Sequence, residues 1–349
     1  MNELWNCSSR EVYGESVLFT ASGEARLLFA AAEILRVHSP ATGKCYLPGR
    51  DYLHAPGTAK IIRTAVSELP VLTEEELRPK ELRLYPEFKD GTENAIAGGI
   101  DGKPLIFNNR DFFARRQVEV DYIAEKIDCS IGSISIAERL PRLHRLLEHG
   151  EPVAVSWLGD SISEGYNSSK FLKIPPEQPP FAELVAEGLR ERYGCRISLR
   201  NHARSGSGSA YPLSHRECWL EDHPDLLVIA YGMNDLCGAV EKYLSNLAEI
   251  INLNRERSPH TEYLLVASMS GNPEWVRTPP EASAAFAAAL RRFAGDMPAD
   301  VGFADLHAVW DFFARRKDFY DLTGNGVNHP NDYGHRILSN GILSVLFKK

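Results

Sequence analysis

The chain has 349 residues, which is long for a single hydrophobic core and suggests two domains. Its hydrophobic fraction of 44% and charged fraction of 25% are typical of an ordinary globular protein. The formal net charge of -8, with basic residues scattered among acidic ones, argues against a nucleic-acid partner.

The start of the chain, MNELWNCSSREVYGES, has no basic region followed by an apolar one, so we expect no signal peptide. No apolar run approaches the roughly 20 residues that cross a bilayer, and we expect no membrane association. The cysteines are far apart and include no C-x-x-C pair, which argues against a zinc site or a redox motif. We predict reduced thiols in a cytoplasmic protein at Cys7, Cys45, Cys129, Cys195, Cys218 and Cys237.

Residues 1–138 have a β pattern. The long apolar run EARLLFAAAEILRV is compatible with a helix or with buried strands. In QVEVDY the apolar Val118, Val120 and Tyr122 alternate with polar residues, which predicts a half-exposed strand. Many short strands separated by turn signals predict a jelly-roll-like antiparallel β-sandwich as an accessory domain. The shorter strand-like segments are AKIIRTAV, ELRLYPEF, LIFNN, QVEVDYIA and SISIA.

Residues 139–349 change to an alternation of helices and strands. An amphipathic helix, RLPRLHRLLEHG, precedes the strand VAVSWLG, and helical and strand-like segments then alternate up to a last helix from about Asp332. Apolar strands separated by helices predict a doubly wound α/β domain. In such sheets functional groups gather beyond the carboxyl ends of the strands, so residues that follow a strand are candidates for a site.

Four residues near the ends of these segments form a chemically coherent set. Ser161 follows the first strand in Gly-Asp-Ser, and Gly206 lies in the glycine-serine loop after the second. Asn234 follows the third strand, and His329 precedes a proline ahead of the last helix. Each feature alone is weak, because turns, flexible loops and helix caps use the same residues. The loop SGSGSAY also lacks the third glycine of a dinucleotide fingerprint.

Together these residues meet the needs of ester hydrolysis. Ser161 supplies a hydroxyl nucleophile, and His329 supplies an imidazole to accept its proton. The backbone N–H groups of Ser161 and Gly206 and the side-chain amide of Asn234 are candidate donors of an oxyanion hole.

The ordered blocks Gly-Asp-Ser, Gly, Gly-x-Asn-Asp and His-Pro resemble the SGNH (GDSL) hydrolase superfamily over about residues 150–349. The resemblance implies a flavodoxin-like three-layer α/β/α catalytic domain over residues 139–349, ester hydrolysis, and no metal or organic cofactor. A strand-rich domain ahead of the catalytic one is similar to the two-domain carbohydrate esterases that remove acetyl groups from sugars. The resemblance places the four signature residues at Ser161, Gly206, Asn234 and His329.

One residue of the superfamily pattern is missing. Many members have an aspartate three residues before the histidine, and that position is Gly326 here. Such a carboxylate holds the imidazole in the productive tautomer, and its loss can cost about four orders of magnitude in rate. Some of the carbohydrate esterases that the chain resembles orient their histidine with a backbone carbonyl, so we predict a Ser161–His329 dyad with such a carbonyl as the orienting group. Asp321 is the acidic alternative as orienter of His329, with Asp332 also nearby.

Other residues near these blocks have structural or substrate-binding interpretations. Asp160 is expected to brace the turn after the first strand and is a candidate substrate contact. Trp275 is a candidate apolar wall for the acyl group. Asp235 is expected to cap a helix. A loop hydrogen bond is predicted for His202, and packing within the last helix is predicted for His335.

The predicted function is a serine esterase that hydrolyses short-chain acyl esters, acetyl esters above all, on a sugar or oligosaccharide. A general short-chain acyl esterase or thioesterase is the enzymatic alternative. A non-catalytic carbohydrate-binding protein on an esterase fold is a further alternative, which the glycine at position 326 favours. The expected partner is a small-molecule or oligosaccharide ester, and a homo-oligomer is left open.

Overall fold

The computed structural model describes residues 4–85, 87, 91–128 and 139–347. Its main features are an antiparallel sheet in the N-terminal part and a parallel sheet in the C-terminal part. Both kinds of sheet predicted from the hydrophobic patterns are therefore present in the predicted order. The predicted domain boundary between residues 138 and 139 adjoins a segment outside the described residues.

The N-terminal part is almost entirely β structure. Its elements are β1 (Trp5–Asn6), β2 (Glu11–Leu18), β3 (Glu24–His38), β4 (Cys45–Tyr46), β5 (Tyr52–His54), β6 (Thr58–Arg63), α1 (Glu74–Leu77), β7 (Ala95–Ile96), β8 (Leu105–Ile106) and β9 (Gln117–Ala124). Seven of these strands pair in the order β1-β2-β9-β3-β6-β5, with β4 joined to β3, while β7 and β8 form a separate pair.

Strand β3 decides how the predicted β-sandwich is built. The run that was compatible with a helix or with strands is one strand, whose first half pairs with β6 and whose second half pairs with β9. The register shifts within these pairings are typical of β-bulges, which bend a strand. Most of the N-terminal strands are thus joined in one continuous antiparallel sheet, whereas the predicted strand LIFNN supplies β8, which pairs with β7 outside that sheet.

Two of the predicted strands have other outcomes. ELRLYPEF makes a single isolated bridge, at Leu84, within its described residues. SISIA lies outside the described residues. In β9 the prediction holds, because Val118, Val120 and Tyr122 are fully buried and the intervening Glu119 is partly exposed.

The C-terminal part alternates strands and helices as predicted. Its elements are α2 (Pro141–Glu148), β10 (Val153–Gly159), α3 (Ser161–Glu164), α4 (Ser169–Leu172), α5 (Phe181–Tyr193), β11 (Ile197–Asn201), α6 (Tyr211–Ser214), β12 (Leu226–Ala230), α7 (Val240–Arg257), β13 (Glu262–Ala267), α8 (Pro280–Asp296), β14 (Val301–Asp305), α9 (Leu306–Ala314), α10 (Phe319–Leu322) and α11 (Asp332–Leu346). A short 3-10 helix at Arg216–Cys218 completes it.

The parallel sheet has the strand order β11-β10-β12-β13-β14. Helices α5 and α11 pack together and helices α7 and α8 pack together, as the outer layers of a three-layer α/β/α fold. The order is that of flavodoxin-like sheets, in which the chain leaves the first strand toward one edge and later returns to its other side. This switch point opens a crevice at the carboxyl end of β10, and Ser161 lies two residues beyond that end.

The two sheets are not independent of one another. Most of their buried apolar side chains belong to one continuous cluster. Gln117 of β9 donates hydrogen bonds from its side chain to the carbonyl groups of Tyr320 and Thr323, at 2.8 and 2.7 Å. Arg336 of α11 forms an ion pair with Glu119 of β9 at 2.9 Å. The N-terminal sheet therefore braces the segment that leads to the last helix.

A buried cluster of charges lies in the same contact. The Lys317 ammonium group is fully buried, 2.6 Å from the Glu15 carboxylate and 3.3 Å from that of Asp321. The backbone N–H groups of Leu28 and Leu18 donate to Glu15 and Asp321, respectively, each at 2.7 Å. Because the paired charges are also hydrogen-bonded, the cost of removing them from water is offset.

Cysteine usage differs from the prediction. Cys7 is disulfide-bonded, whereas Cys45, Cys195, Cys218 and Cys237 are free thiols. The prediction of six reduced thiols is therefore wrong at Cys7. Because disulfides persist in oxidising compartments, cysteine usage no longer supports the predicted cytoplasmic location.

The described residues lack two features. None of their helices has the length and apolar character that crossing a membrane requires. Their His, Cys, Asp and Glu side chains form no group of three or more that could hold a metal ion.

The buried charge cluster predicts a large cost for Lys317→Met. Removing the ammonium group leaves two buried carboxylates without a cation, which we expect to cost about 3–5 kcal/mol of folding free energy. The matched control is Arg315→Met, because the ion pair of Arg315 with Asp311 is exposed and should contribute less than about 1 kcal/mol. Denaturation midpoints in urea measure both effects. Equal, small shifts for the two variants would contradict this account.

Candidate active site

The tight turn at the carboxyl end of β10 positions Ser161. Gly159 is the last residue of the strand, and a Cβ atom there would collide with the side chain of Ser163. Asp160 caps helix α3, because its Oδ1 accepts a hydrogen bond from the N–H of Ile162 at 3.0 Å. The strand therefore ends at a glycine so that α3 can pack directly onto it. This turn presents Ser161, which is only 4% exposed, at the switch point of the sheet.

His329 lies against Ser161. The Ser161 hydroxyl is 2.9 Å from Nε2 of His329, and the histidine is 6% exposed. On its other side, Nδ1 of His329 is 2.8 Å from Oδ1 of Asn167. An amide oxygen only accepts hydrogen bonds, so Nδ1 carries the proton and Nε2 is left as the acceptor for the serine hydroxyl. This tautomer is the one that a general base for Ser161 requires.

The environment of His329 favours the neutral imidazole. Burial, and to a smaller extent the neighbouring His335, lower the pKa of His329 to about 3. Burial likewise lowers the pKa of His335 to about 4. The neutral ring can therefore accept a proton at Nε2.

The loop before His329 is held by its own polar side chains. Oδ1 of Asn325 accepts hydrogen bonds from the N–H groups of Val327, Asn328 and His329, each at 3.0 Å. The carbonyl group of His329 accepts a hydrogen bond from the N–H of Gly324 at 2.8 Å. These bonds satisfy the buried backbone of a loop that has no regular secondary structure.

Gly326 explains why the usual aspartate is missing. Its φ of +93° is in the left-handed region, and a Cβ atom would collide with the carbonyl oxygen of Ile106 at the end of β8. The N-terminal part of the chain therefore lies so close to this loop that no side chain fits at position 326. A carboxylate that orients His329 cannot come from this position.

The predicted orienting groups are not the ones in the structure. A side-chain amide, Asn167, contacts Nδ1 of His329 where a backbone carbonyl was predicted. Asp321 faces Lys317 and Leu18 within the buried charge cluster, where burial raises its pKa to about 7. Asp332 accepts a hydrogen bond from the N–H of Ser169 at 2.8 Å. Both carboxylates are thus engaged in ion pairs or hydrogen bonds with other residues. The prediction that Asp321 orients His329 is wrong.

The loop that carries the predicted oxyanion donor Gly206 is bound to the end of β10, because the N–H of Arg204 donates to the carbonyl group of Gly159 at 2.9 Å. The loop carrying Gly206 is tied to α3, since the N–H of Ser205 donates to the Glu164 carboxylate at 2.6 Å. Nδ2 of Asn234 donates to the carbonyl group of Ser207 at 2.9 Å, which leaves its second N–H free to bind. Gly206 and Asn234 are exposed, and Gly206 has a φ of +75°.

The remaining candidates have structural contacts. The Trp275 indole donates to the carbonyl group of Ala97 at 3.2 Å and is buried against Leu105 and Val327, so it joins the N-terminal part to the His329 loop. Its role as an apolar wall for the acyl group stays a prediction. Asp160 is engaged as the cap of α3, and burial raises its pKa to about 7.

Of three further residues with predicted structural roles, two have the expected kind of contact and one does not. Asp235 binds Ser209 of the glycine-serine loop, with its Oδ1 3.0 Å from the backbone N–H, rather than capping a helix. His202 makes the predicted loop hydrogen bond, to Asp222 at 2.5 Å. His335 is fully buried and accepts at Nδ1 from the N–H of Phe181 at 3.3 Å.

Sequence patterns did not single out three asparagines of this site. Asn167 contacts the imidazole, Asn325 organises its loop, and Asn272 donates to the carbonyl group of Gly326 at 2.9 Å. Asparagine is common in turns, so a lone Asn has no distinctive spacing. The one available signal was the position of Asn167 in GYNSS, a turn that follows the serine block.

Residues 157–337 match the family model described as the GDSL-like Lipase/Acylhydrolase family. The match spans more than half of the chain and includes Ser161, Asn234 and His329. The chain belongs to this family. It is therefore a carboxylic ester hydrolase, and the predicted SGNH (GDSL) membership is confirmed.

The solved structures that are similar to this chain have a low sequence identity to it. Axe2, an acetylxylan esterase from Geobacillus stearothermophilus, is 16% identical with a TM-score of 0.47, over 56% of this chain and 95% of that one. CEX, a two-domain esterase active on acetylated mannans, is 20% identical with a TM-score of 0.49, over 61% of this chain and 54% of that one.

A third similar structure is a putative GDSL-like lipase from Parabacteroides merdae ATCC 43184. It is 19% identical with a TM-score of 0.46, over 56% of this chain and 96% of that one. At such identities and TM-scores no activity is transferred to this chain. A search among curated proteins finds no match.

The contact at Gly326 predicts that Gly326→Ala is more destabilising than an ordinary glycine substitution. The new Cβ atom would collide with Ile106 and would also occupy a left-handed backbone, so we expect a loss of about 3 kcal/mol or more. Gly194→Ala is the control, because Gly194 also has a positive φ, +66°, but has nothing within 4 Å of its Cβ position. That change should cost about 1–2 kcal/mol. Thermal or urea unfolding of both variants measures the two losses of folding free energy. Equal losses would show that the contact with Ile106 has no effect.

Proposed function

We propose that the protein is a serine esterase in which Ser161 is the nucleophile and His329 is the general base. The observation that carries this proposal is the 2.9 Å contact between the Ser161 hydroxyl and Nε2 of His329. A buried serine next to a neutral imidazole whose other nitrogen is already hydrogen-bonded is the arrangement that activates a hydroxyl group.

The reaction follows from this geometry. The Ser161 oxygen attacks the ester carbonyl while its proton passes to Nε2 of His329. The imidazolium then gives that proton to the departing alcohol, and an acyl-serine ester remains. A water molecule attacks the acyl group with His329 again as the base, so that the acid is released and Ser161 is restored.

The negative charge on the carbonyl oxygen needs donors that are in place beforehand. We assign this role to the N–H groups of Ser161 and Gly206 and to the free amide N–H of Asn234. Within the described part of the chain, neither backbone N–H donates to a protein acceptor. A donor of this kind contributes roughly 3–4 kcal/mol to transition-state stabilisation.

We propose a small acyl group, acetyl above all, on a sugar or oligosaccharide as the substrate. Ser161 and His329 are 4% and 6% exposed, which favours a short acyl chain. The exposed side of the site is formed by Gly206 and Asn234, where a polar alcohol could remain in water. A general short-chain esterase or thioesterase shares this catalytic pair and is the second candidate.

Ser161→Ala tests the esterase proposal. We expect the wild-type protein to hydrolyse p-nitrophenyl acetate and to be labelled by a fluorophosphonate probe, and the variant to lose both properties, because its side chain cannot form a covalent bond. Ser163→Ala, two residues further in α3, is the matched control that should keep the labelling. An unlabelled, inactive wild-type protein would support a binding protein instead.

The substrate class is decided by the same assay. An acetyl-sized pocket should give much faster hydrolysis of p-nitrophenyl acetate than of the octanoate. Acetylated xylan and mannan oligosaccharides, the substrate types named for Axe2 and CEX, form the panel for acetate release. Acetate release from none of them, with good hydrolysis of simple esters, would favour the general esterase.

The low pKa of His329 predicts activity in acid. The base acts only in its neutral form, which predominates above the pKa, so lowering the pKa to about 3 extends activity to lower pH. We expect kcat/KM to remain nearly constant from pH 8 to pH 5, whereas an ordinary histidine of pKa about 6.5 would lose about 30-fold. Initial rates across this range, with circular dichroism as a folding control, measure it. An acid limb centred near pH 6.5 would contradict the prediction.

A further inference from the structure

Asn167 is the residue of the site for which the family pattern has no place. Its Oδ1 is 2.8 Å from Nδ1 of His329, on the side opposite Ser161. Asn167 is 3% exposed, so this hydrogen bond is shielded from water. We propose that Asn167 is the positioning residue of His329 and replaces the aspartate that position 326 cannot accommodate. The proposal rests on the proposed function and deepens it.

The orientation of the Asn167 amide is fixed from its other end. Its Nδ2 donates a hydrogen bond to the carbonyl group of Gly324 at 3.0 Å. Because Gly324 presents an acceptor, the amide nitrogen must face it, and the amide oxygen must face His329. A carboxylate in this position would set a second acceptor against the Gly324 carbonyl. The surroundings therefore match an asparagine better than an aspartate.

The backbone around Asn167 also favours this residue. Its φ is +62°, a left-handed conformation that asparagine adopts more readily than most residues with a side chain. The turn is locked by Ser168, whose hydroxyl donates to the carbonyl group of Gly165 at 2.8 Å and whose N–H donates to the same carbonyl at 3.1 Å. The Asn167 side chain thus projects toward His329 from a rigid turn.

A neutral partner has an electrostatic consequence. Among the described residues, no carboxylate contributes to the shift in the pKa of His329; the titratable neighbours are His335 of α11 and Tyr166, whose ring lies 5.2 Å from that of His329. The imidazolium formed during attack is therefore stabilised by the amide dipole of Asn167 and not by a full charge. The role of Asn167 is to hold the tautomer and the direction of the His329 ring.

The test compares Asn167→Gly with Asn167→Asp. Glycine tolerates the left-handed backbone but leaves Nδ1 without a partner, and we expect kcat on p-nitrophenyl acetate to fall about 100-fold with little change in KM. Aspartate restores an acceptor, and we expect it to recover at least tenfold of that loss. Its negative charge should also move the acid limb of the pH profile to higher pH, because a carboxylate favours the imidazolium.

Asn272→Asp is the matched control. Asn272 is another buried asparagine whose Nδ2 donates to a glycine carbonyl of the His329 loop, but it does not contact the ring. We expect it to change stability without moving the acid limb. Asn167 has no positioning role if Asn167→Gly keeps kcat within threefold of the wild type, if the Asp and Gly variants are equally impaired, or if the Asp variant keeps the wild-type acid limb.

A measurement without substrate separates this proposal from the proposed function. Nitrogen NMR of protein labelled at histidine should show His329 protonated at Nδ1 in the wild type, with that signal altered in Asn167→Gly and retained in Asn272→Asp. His329→Gln assigns the signal. If the wild type is neither active nor labelled at Ser161, the esterase proposal fails, while the NMR result still decides whether Asn167 holds the ring. An Nδ1 signal unchanged by Asn167→Gly would overturn the inference.

Discussion

The site depends on one buried ring held by two hydrogen bonds. His329 is bound at Nδ1 by Asn167 and at Nε2 by Ser161, at 2.8 and 2.9 Å. Because the three side chains are each at most 6% exposed, water does not compete for these bonds. This arrangement sets the tautomer of the ring, the direction of its lone pair and the access of Nε2 to the serine proton.

The position of the ring in turn depends on the N-terminal sheet. Gln117 holds the carbonyl groups at the end of α10, and Ile106 closes against Gly326 in the loop that carries His329. No N-terminal side chain among the described residues is hydrogen-bonded to Ser161 or His329. The described residues of the N-terminal part therefore act on the site through the backbone of the loop, by fixing its path.

Most of the parallel sheet, and the pairing of Ser161 with His329, could be predicted from the sequence. Apolar strands between amphipathic helices have a regular period, and Ser161 and His329 follow strand and loop signals that their chemistry makes recognisable. The orienting residue could not be predicted in this way. Asn167 meets His329 only through tertiary packing, and the glycine at 326 became understandable only once the Ile106 carbonyl was seen beside it. Likewise, Asp321 had a plausible sequence position near His329, but its burial beside Lys317 is a property of the folded contact.

The close approach of Ile106 to Gly326 also limits how such a protein can be rebuilt. A hydrolase domain taken from a relative with an aspartate at this position would not accept this β domain, since the extra side chain would push the two apart. With glycine there, the group that orients His329 has to come from elsewhere in the chain, and Asn167 is the residue in contact with Nδ1. The fit between the two parts of the chain and the surroundings of His329 are thus linked through one backbone contact, and neither can be changed without regard to the other.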